Sequence, residues 1–168
     1  MMTAPTEILP ADGPAPVLVL DIGNVCLKVE FDALLQAMGF RDLAAVEAFD
    51  PEGRLRALSN AVERGEITTD AFLRDFGAGL PQPQPAAATA EIWGRIIGAE
   101  IEGMSRVVDT AVAAGVRVVF LSDICDLHYD LSVRQLSFAD RVDGAVLSYE
   151  VGALKPDARM YEAVERAY

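Results

Sequence analysis

The chain has 168 residues, of which 52% are hydrophobic and 24% charged, a composition typical of a globular protein with one packed core. Its formal net charge of −12 opposes nonspecific binding to phosphate backbones, so no nucleic-acid partner is expected. No apolar run approaches the roughly 20 residues that span a bilayer, so no membrane partner is expected either.

The first 16 residues contain neither a basic region nor a long apolar stretch. We therefore expect a disordered leader at positions 1–16 and not a signal peptide. The two cysteines, Cys26 and Cys125, are too few for a disulfide framework, and a reduced, cytoplasmic setting is the expectation.

The first predicted strand is the apolar run from Val17 to Leu20. A continuous run of this kind favours a strand buried on both faces of a parallel sheet. Asp21 follows at the carboxyl end, where open α/β sheets bind ligands, and the turn formers Gly23 and Asn24 come next. Asp is also a common turn residue, and these residues alone leave both interpretations open.

Helical spacing of apolar residues dominates the next segment, from about position 30 to 104. Thr68 is the expected N-cap of one of these helices, and Pro51 suits the first turn of the helix before it. The Pro- and Gln-rich run that begins at Pro81 is expected to be a stiff loop between helices.

Strands then return in alternation with helices. A helix that ends at Gly115 leads into the strand VRVVFLS, which stops at Ser122 and Asp123. A further helix, a short strand from Ala145 to Leu147, a loop that carries Lys155, and a final helix follow. This alternation predicts an α/β fold with an open parallel sheet.

Three polar side chains thus follow strands or lie in a loop at one predicted sheet edge: Asp21, Ser122 and Lys155. Residues far apart in sequence can meet around one ligand at such an edge. A carboxylate can attack phosphorus, while a hydroxyl and a lysine can hold the transferring oxygens. A divalent metal on the carboxylate would lower the repulsion between the two anions.

In this order, the motifs DIGNV, FLSD and the KP of ALKPDARMY resemble the first three motifs of the haloacid dehalogenase (HAD) superfamily. The resemblance is strongest to a branch of small sugar-phosphate phosphatases whose first motif is D-x-G-N-V. It also covers ERGEITTDAF and the LH of DICDLH. It implies a HAD-like Rossmann-like core from 17–29 and 105–168, with a helical cap inserted at 30–104.

The resemblance also implies roles for particular residues. Asp21 would be the nucleophile and a magnesium ligand, and Gly23 would offer its carbonyl to the same Mg²⁺. Lys155 would anchor both the phosphate and the nucleophile. Many relatives carry a second Asp, the general acid and base, where this chain has Gly23. Protonation of the leaving group must therefore come from elsewhere, either from water or from the cap.

Substrate binding would fall to Ser122, Asn24 and Asp123, with Ser122 on the phosphoryl group. Asp123 stands where related sequences often have Asn. Its negative charge would weaken phosphate binding unless the side chain points away.

The acidic fourth motif of the family is absent from the 168 residues. We therefore expect a truncated chain with an incomplete, weak magnesium site. In the family, the strand before that motif lies beside the first strand. Without it, the run from Val17 to Leu20 would be an unpaired edge, prone to self-association or to complementation by another strand.

The resulting hypothesis is a magnesium-dependent phosphatase that acts on a small phosphorylated metabolite. The alternatives are a metal-independent haloacid dehalogenase and a catalytically silent binding module. His128, the sole histidine, is expected to have a packing or capping role. The ERGE segment is expected to be a solvated turn, although in the related phosphatases this region belongs to the cap that faces substrate.

Overall fold

The computed structural model describes residues 15–168, which contain five strands and nine α-helices. In chain order the strands and helices are β1 (Val17–Leu20), β2 (Leu27–Val29), α1 (Phe31–Ala37), α2 (Leu43–Phe49), α3 (Arg54–Glu63), α4 (Thr69–Ala78), α5 (Ala86–Trp93), β3 (Ile97–Glu100), α6 (Met104–Ala113), β4 (Arg117–Ser122), α7 (Asp126–Gln135), β5 (Gly144–Leu147), α8 (Ser148–Val151) and α9 (Ala158–Ala167). Most of the predicted leader, positions 1–14, lies outside the described residues.

The main sheet has the strand order β1-β4-β5, and both pairings are parallel. The predicted α/β fold with a parallel sheet is confirmed. Leu20 is paired with Phe120, and Ser122 with Leu147, so the three strands end at the same edge of the sheet. None of the helices within residues 15–168 is both long and apolar enough to cross a membrane.

A second, small sheet pairs β2 with β3 in antiparallel orientation, and the sequence did not predict it. The prediction of helix through position 104 is therefore wrong for β3. Gly98 permits the close approach, because a Cβ there would lie 2.8 Å from the Lys28 carbonyl oxygen. The two short strands enclose the helices α1 to α5 in the chain order.

The described residues form distinct apolar clusters. One joins side chains from α1, α3, α4 and α5, including Phe72, Phe76 and Trp93. Another lies around the main sheet and includes Leu20 and Phe120. The first cluster also includes Cys125, which follows β4, so the helices between β2 and β3 share this cluster with the start of α7. The division of the chain into core and cap at the boundaries given above stays a prediction.

Strand β1 is less buried than its sequence suggests. Val19 is 40% exposed, Val17 and Leu18 are half-buried, and Leu20 alone is fully buried in this strand. Burial on both faces was therefore a wrong prediction for β1, whereas it describes β4, where five of six residues are buried. The reason is position, since β1 pairs within residues 15–168 with β4 alone and forms a sheet edge.

The residues predicted to begin or end helices do so in two of the three cases that follow. Thr68 caps α4 by accepting a hydrogen bond from the Ala71 N–H, as predicted. Gly115 follows the end of α6 with φ +74°, the left-handed conformation expected after a helix. Pro51 does not lie in the first turn of α3, because that helix begins at Arg54 after Gly53.

Candidate active site

Asp21 lies immediately after β1, and Ser122 is the last residue of β4. Because β1 and β4 are parallel neighbours, both residues lie at the carboxyl edge of the sheet. Lys155 reaches the same place from the loop between α8 and α9. The topology therefore brings together three residues that span positions 21 to 155.

The three side chains contact one another directly. Ser122 Oγ donates a hydrogen bond of 2.9 Å to Asp21 Oδ1, and Lys155 Nζ lies 2.6 Å from Asp21 Oδ2. The Ile22 N–H also donates to Oδ1, at 2.7 Å. The Asp21 side chain remains 37% exposed and that of Lys155 22%, so a solute can reach this carboxylate.

Asp123 holds the Lys155 loop in place. Its carboxylate accepts the backbone N–H of Lys155 at 2.9 Å and 3.2 Å, one distance for each oxygen. Lys155 Nζ donates in addition to the Leu121 carbonyl oxygen at 3.2 Å. The Asp123 carboxylate therefore binds the backbone of the loop that positions Lys155. This role explains why an acidic residue lies so near the predicted phosphate site.

Asn24 shapes the turn after Asp21. It has a left-handed φ of +56°, its N–H donates to the Leu27 carbonyl, and its side-chain oxygen accepts the Val29 N–H at 3.1 Å. Asn and Gly are the residues that adopt this conformation at little cost. The structure thus gives Asn24 a role in the turn, and its predicted role in substrate binding stays a prediction.

Oxygen ligands for a hard cation are present beside this turn. The Asp21 carboxylate is one, and the Gly23 carbonyl, which receives no backbone hydrogen bond from residues 15–168, is a second. Mg²⁺ prefers such oxygens and commonly completes its shell with water and substrate phosphate. The two residues therefore fit magnesium by donor chemistry. In the described part of the chain, no three acidic, His or Cys side chains cluster as a metal site.

Glu63, the first residue of the ERGE segment, is the last residue of α3. Burial, together with the negative charge of Asp123, raises the pKa of the Glu63 carboxyl to about 7, against a smaller opposite effect of Arg64. The prediction of a solvated ERGE turn is therefore wrong for Glu63, which is half-buried. Burial of this kind comes from tertiary contacts and has no local sequence signal.

Three further titratable side chains, those of Cys26, Cys125 and His128, are buried. Cys26 and Cys125 are buried free thiols, and burial raises the pKa of Cys26 to about 12 and that of Cys125 to about 11. His128 is buried, stacks on Trp93 at 4.9 Å, and shares a 3.0 Å hydrogen bond with the Trp93 carbonyl. Burial lowers its pKa to about 4, so it is neutral and serves packing.

Comparison with known proteins connects this geometry to a fold family. No protein-family model matches the sequence. A solved structure of a HAD family enzyme from Bacteroides thetaiotaomicron is similar, with a TM-score of 0.79 and 16% identity over 92% of this chain and 78% of that one. The wild-type form of that enzyme in complex with magnesium and inorganic phosphate gives a TM-score of 0.74 at 16% identity, over 91% of this chain and 78% of that one.

A predicted HAD-like family hydrolase from Porphyromonas gingivalis is similar as well. Its TM-score is 0.71 at 16% identity, over 91% of this chain and 76% of that chain. Agreement at this level of identity concerns the backbone arrangement. The chain therefore has the HAD-like fold.

Proposed function

We propose that this chain is a magnesium-dependent phosphatase for small phosphate monoesters of the sugar-phosphate type. The observation that carries the proposal is the contact of Asp21 with both Ser122 Oγ and Lys155 Nζ, at 2.9 Å and 2.6 Å. A carboxylate held between a hydroxyl and an ammonium group at a sheet edge suits nucleophilic attack on a phosphoryl group. The magnesium and phosphate complex of the B. thetaiotaomicron enzyme supports the same chemistry.

The residues would act in the following way. Asp21 attacks phosphorus as the P–O bond to the substrate alcohol breaks, and the released alcohol oxygen takes up a proton from water. Water then hydrolyses the aspartyl phosphate and releases inorganic phosphate. Ser122 Oγ and Lys155 Nζ, which contact the carboxylate in the substrate-free chain, bind the transferring oxygens and offset their charge. The Asp123 carboxylate accepts the Lys155 backbone N–H and so holds the loop that carries the lysine in place. Magnesium, held by Asp21 and the Gly23 carbonyl, would neutralise phosphoryl charge when bound.

Release of phosphate from p-nitrophenyl phosphate, with and without magnesium, tests this function. We expect turnover that needs magnesium, stops on chelation, and is absent from the Asp21→Asn variant. Turnover of a haloacid that survives chelation would instead indicate the dehalogenase. No turnover above the Asp21→Asn background would indicate a silent binding module.

A further inference from the structure

Ser148 follows β5 and begins α8, on the segment of chain that leads to Lys155. Because Ser122 is paired with Leu147 in the sheet, Ser148 lies one residue beyond that pairing, beside the chain that leaves β4. Its side chain is fully buried, at 0% exposure. A buried hydroxyl costs free energy unless it forms hydrogen bonds, so its partners indicate its role.

The Ser148 hydroxyl contacts two separate segments of the chain. Its oxygen accepts the Ile124 N–H at 2.8 Å, in the loop after β4. It also lies 2.6 Å from the Glu63 carbonyl oxygen, at the end of α3, and 3.0 Å from the Ile124 carbonyl oxygen. A hydroxyl has one hydrogen to donate, and the shorter distance favours donation to Glu63. One side chain therefore joins the loop after β4 to α3.

The loop that Ser148 holds carries groups of the candidate active site. Ser122, whose hydroxyl donates to the proposed nucleophile at 2.9 Å, comes two residues before Ile124. Asp123, directly before Ile124, accepts the Lys155 backbone N–H with its carboxylate. The hydrogen bond from Ile124 to Ser148 therefore holds the loop at the residue next to Asp123.

The turn after α3 has a second close contact with the same part of the core. Gly65 packs so tightly that a Cβ there would lie 2.1 Å from the Tyr149 carbonyl oxygen. Tyr149 is the residue after Ser148, so this backbone contact and the Ser148 hydroxyl act at neighbouring positions. Both α3 and the loop after β4 are thus held against the start of α8.

We propose that Ser148 is a positioning residue for the phosphatase reaction, an inference that rests on the function proposed above. By accepting the Ile124 N–H, its hydroxyl fixes the loop that places Ser122 beside the transferring oxygens. Through Asp123, the same loop also holds the backbone of Lys155. Ser148 acts through these neighbours and takes no part in bond making.

Removal of the hydroxyl should therefore slow the reaction. Ser148→Ala leaves the Ile124 N–H and the Glu63 carbonyl without this partner, so the loop is no longer fixed. A displacement of about 1 Å at a reacting group can lower a rate by about 10²-fold. In the presence of magnesium, we expect kcat for p-nitrophenyl phosphate to fall by about 10- to 10²-fold. KM should stay nearly constant, because the groups being placed act in the transition state.

Ser132→Ala is the matched control. Ser132, on α7, is also 0% exposed, and its Oγ has no hydrogen-bond partner within residues 15–168. The change removes an equally buried hydroxyl that holds no loop. We therefore expect kcat to equal that of the unaltered chain.

A double-mutant cycle with Ser122→Ala separates positioning from a purely structural role. If Ser148 acts by placing Ser122, its loss matters less once the Ser122 hydroxyl is gone. We expect the combined loss in kcat to be smaller than the product of the two separate losses by about fivefold or more. Losses from independent causes would multiply.

Urea denaturation of each variant ensures that kcat is compared between folded chains. If Ser148→Ala does not fold, Ser148→Cys takes its place in the cycle, because a thiol keeps a weaker donor and acceptor at the same position. We expect this variant to lose less kcat than Ser148→Ala would and to show the same non-additivity with Ser122→Ala.

A kcat equal to that of Ser132→Ala, or losses that multiply in the cycle, would overturn the role of Ser148. Magnesium-dependent turnover by the unaltered chain would leave the phosphatase function standing in either case. A chain that releases no phosphate from p-nitrophenyl phosphate would overturn the proposed function and this inference with it.

Discussion

Around Asp21, the ion pair with Lys155 contributes little to the stability of the fold. The Asp21–Lys155 pair is short, at 2.6 Å, but both side chains are partly exposed. Ion pairs in contact with water contribute about 0–1 kcal/mol to folding. The position of Lys155 therefore matters mainly for the charge that it places beside the carboxylate.

Replacement of this charge should affect catalysis and leave folding nearly intact. We expect Lys155→Met to lower kcat/KM for p-nitrophenyl phosphate by about 10²- to 10³-fold, because a preorganised positive charge at the phosphoryl oxygens is lost. The melting temperature should move little. The control is Lys28→Met at the other, exposed lysine of the chain. Equal activity of the two variants would contradict the role given to Lys155.

Among the secondary-structure elements, the turn between α3 and α4 carries the close contact between the helices and the core. Gly65 has φ +66° and lies against the Tyr149 backbone, while Ser148 bonds to the Glu63 carbonyl. A side chain at Gly65 would have to displace main-chain atoms.

Gly65→Ala should therefore destabilise the protein more than Gly53→Ala. Gly53 has the same φ of +66°, but nothing lies within 4 Å of a Cβ there. Both changes carry the left-handed backbone cost of about 1–2 kcal/mol. Only Gly65→Ala adds overpacking, of about 1–3 kcal/mol. Urea denaturation measures the difference, and equal free energies of unfolding would contradict the contact.

The edge of the main sheet that β1 forms within residues 15–168 is a second feature at this scale. Unpaired backbone groups on an apolar edge favour pairing with another chain. We expect self-association that Val19→Lys reduces, because Val19 is 40% exposed and lies in the middle of this strand. Val112→Lys, on α6 at 43% exposure, is the control. Sedimentation velocity over a range of concentrations tests this, and a monomer at every concentration would count against it.

Across the whole molecule, Glu63 and His128 make opposite contributions to the pH dependence of stability. Glu63 has its pKa raised from 4.5 to about 7, so the folded chain binds more protons and its stability falls as the pH rises through that window. His128 has its pKa lowered from 6.5 to about 4, so its contribution is lost as the pH falls through that window. Between pH 4.5 and 6.5 the two slopes oppose each other.

Substitution of either Glu63 or His128 should make the pH dependence that the other residue contributes easier to measure. For Glu63→Gln, we expect the free energy of unfolding to rise with pH between 4.5 and 6.5 more steeply than in the unaltered chain, by at most about 1.4 kcal/mol per pH unit. His128→Phe, which can still stack on Trp93, should change the slope in the opposite sense. Chemical denaturation at several pH values gives these slopes. Curves parallel to that of the unaltered chain would refute the assignment.

Local sequence patterns and the order of the motifs predicted many of the strands and helices and the parallel sheet. Apolar runs marked β1, β4 and β5, helical spacing marked α1 to α4, and Thr68 and Gly115 marked helix ends. The alternation of strands and helices then implied a parallel sheet, and with it the meeting of Asp21, Ser122 and Lys155. These predictions succeeded because backbone conformation and strand direction depend on residues close together in the chain.

Tertiary structure alone decided the pairing of β2 with β3, the exposure of β1, and the burial of Glu63 beside Asp123. Each depends on segments far apart in the sequence, which no local pattern describes. A short strand such as β3 forms because a partner lies beside it, and a carboxyl retains its proton because distant residues remove it from water. For that reason the sequence pointed to the meeting of Asp21, Ser122 and Lys155, whereas the burial of Glu63 became visible only in the folded chain.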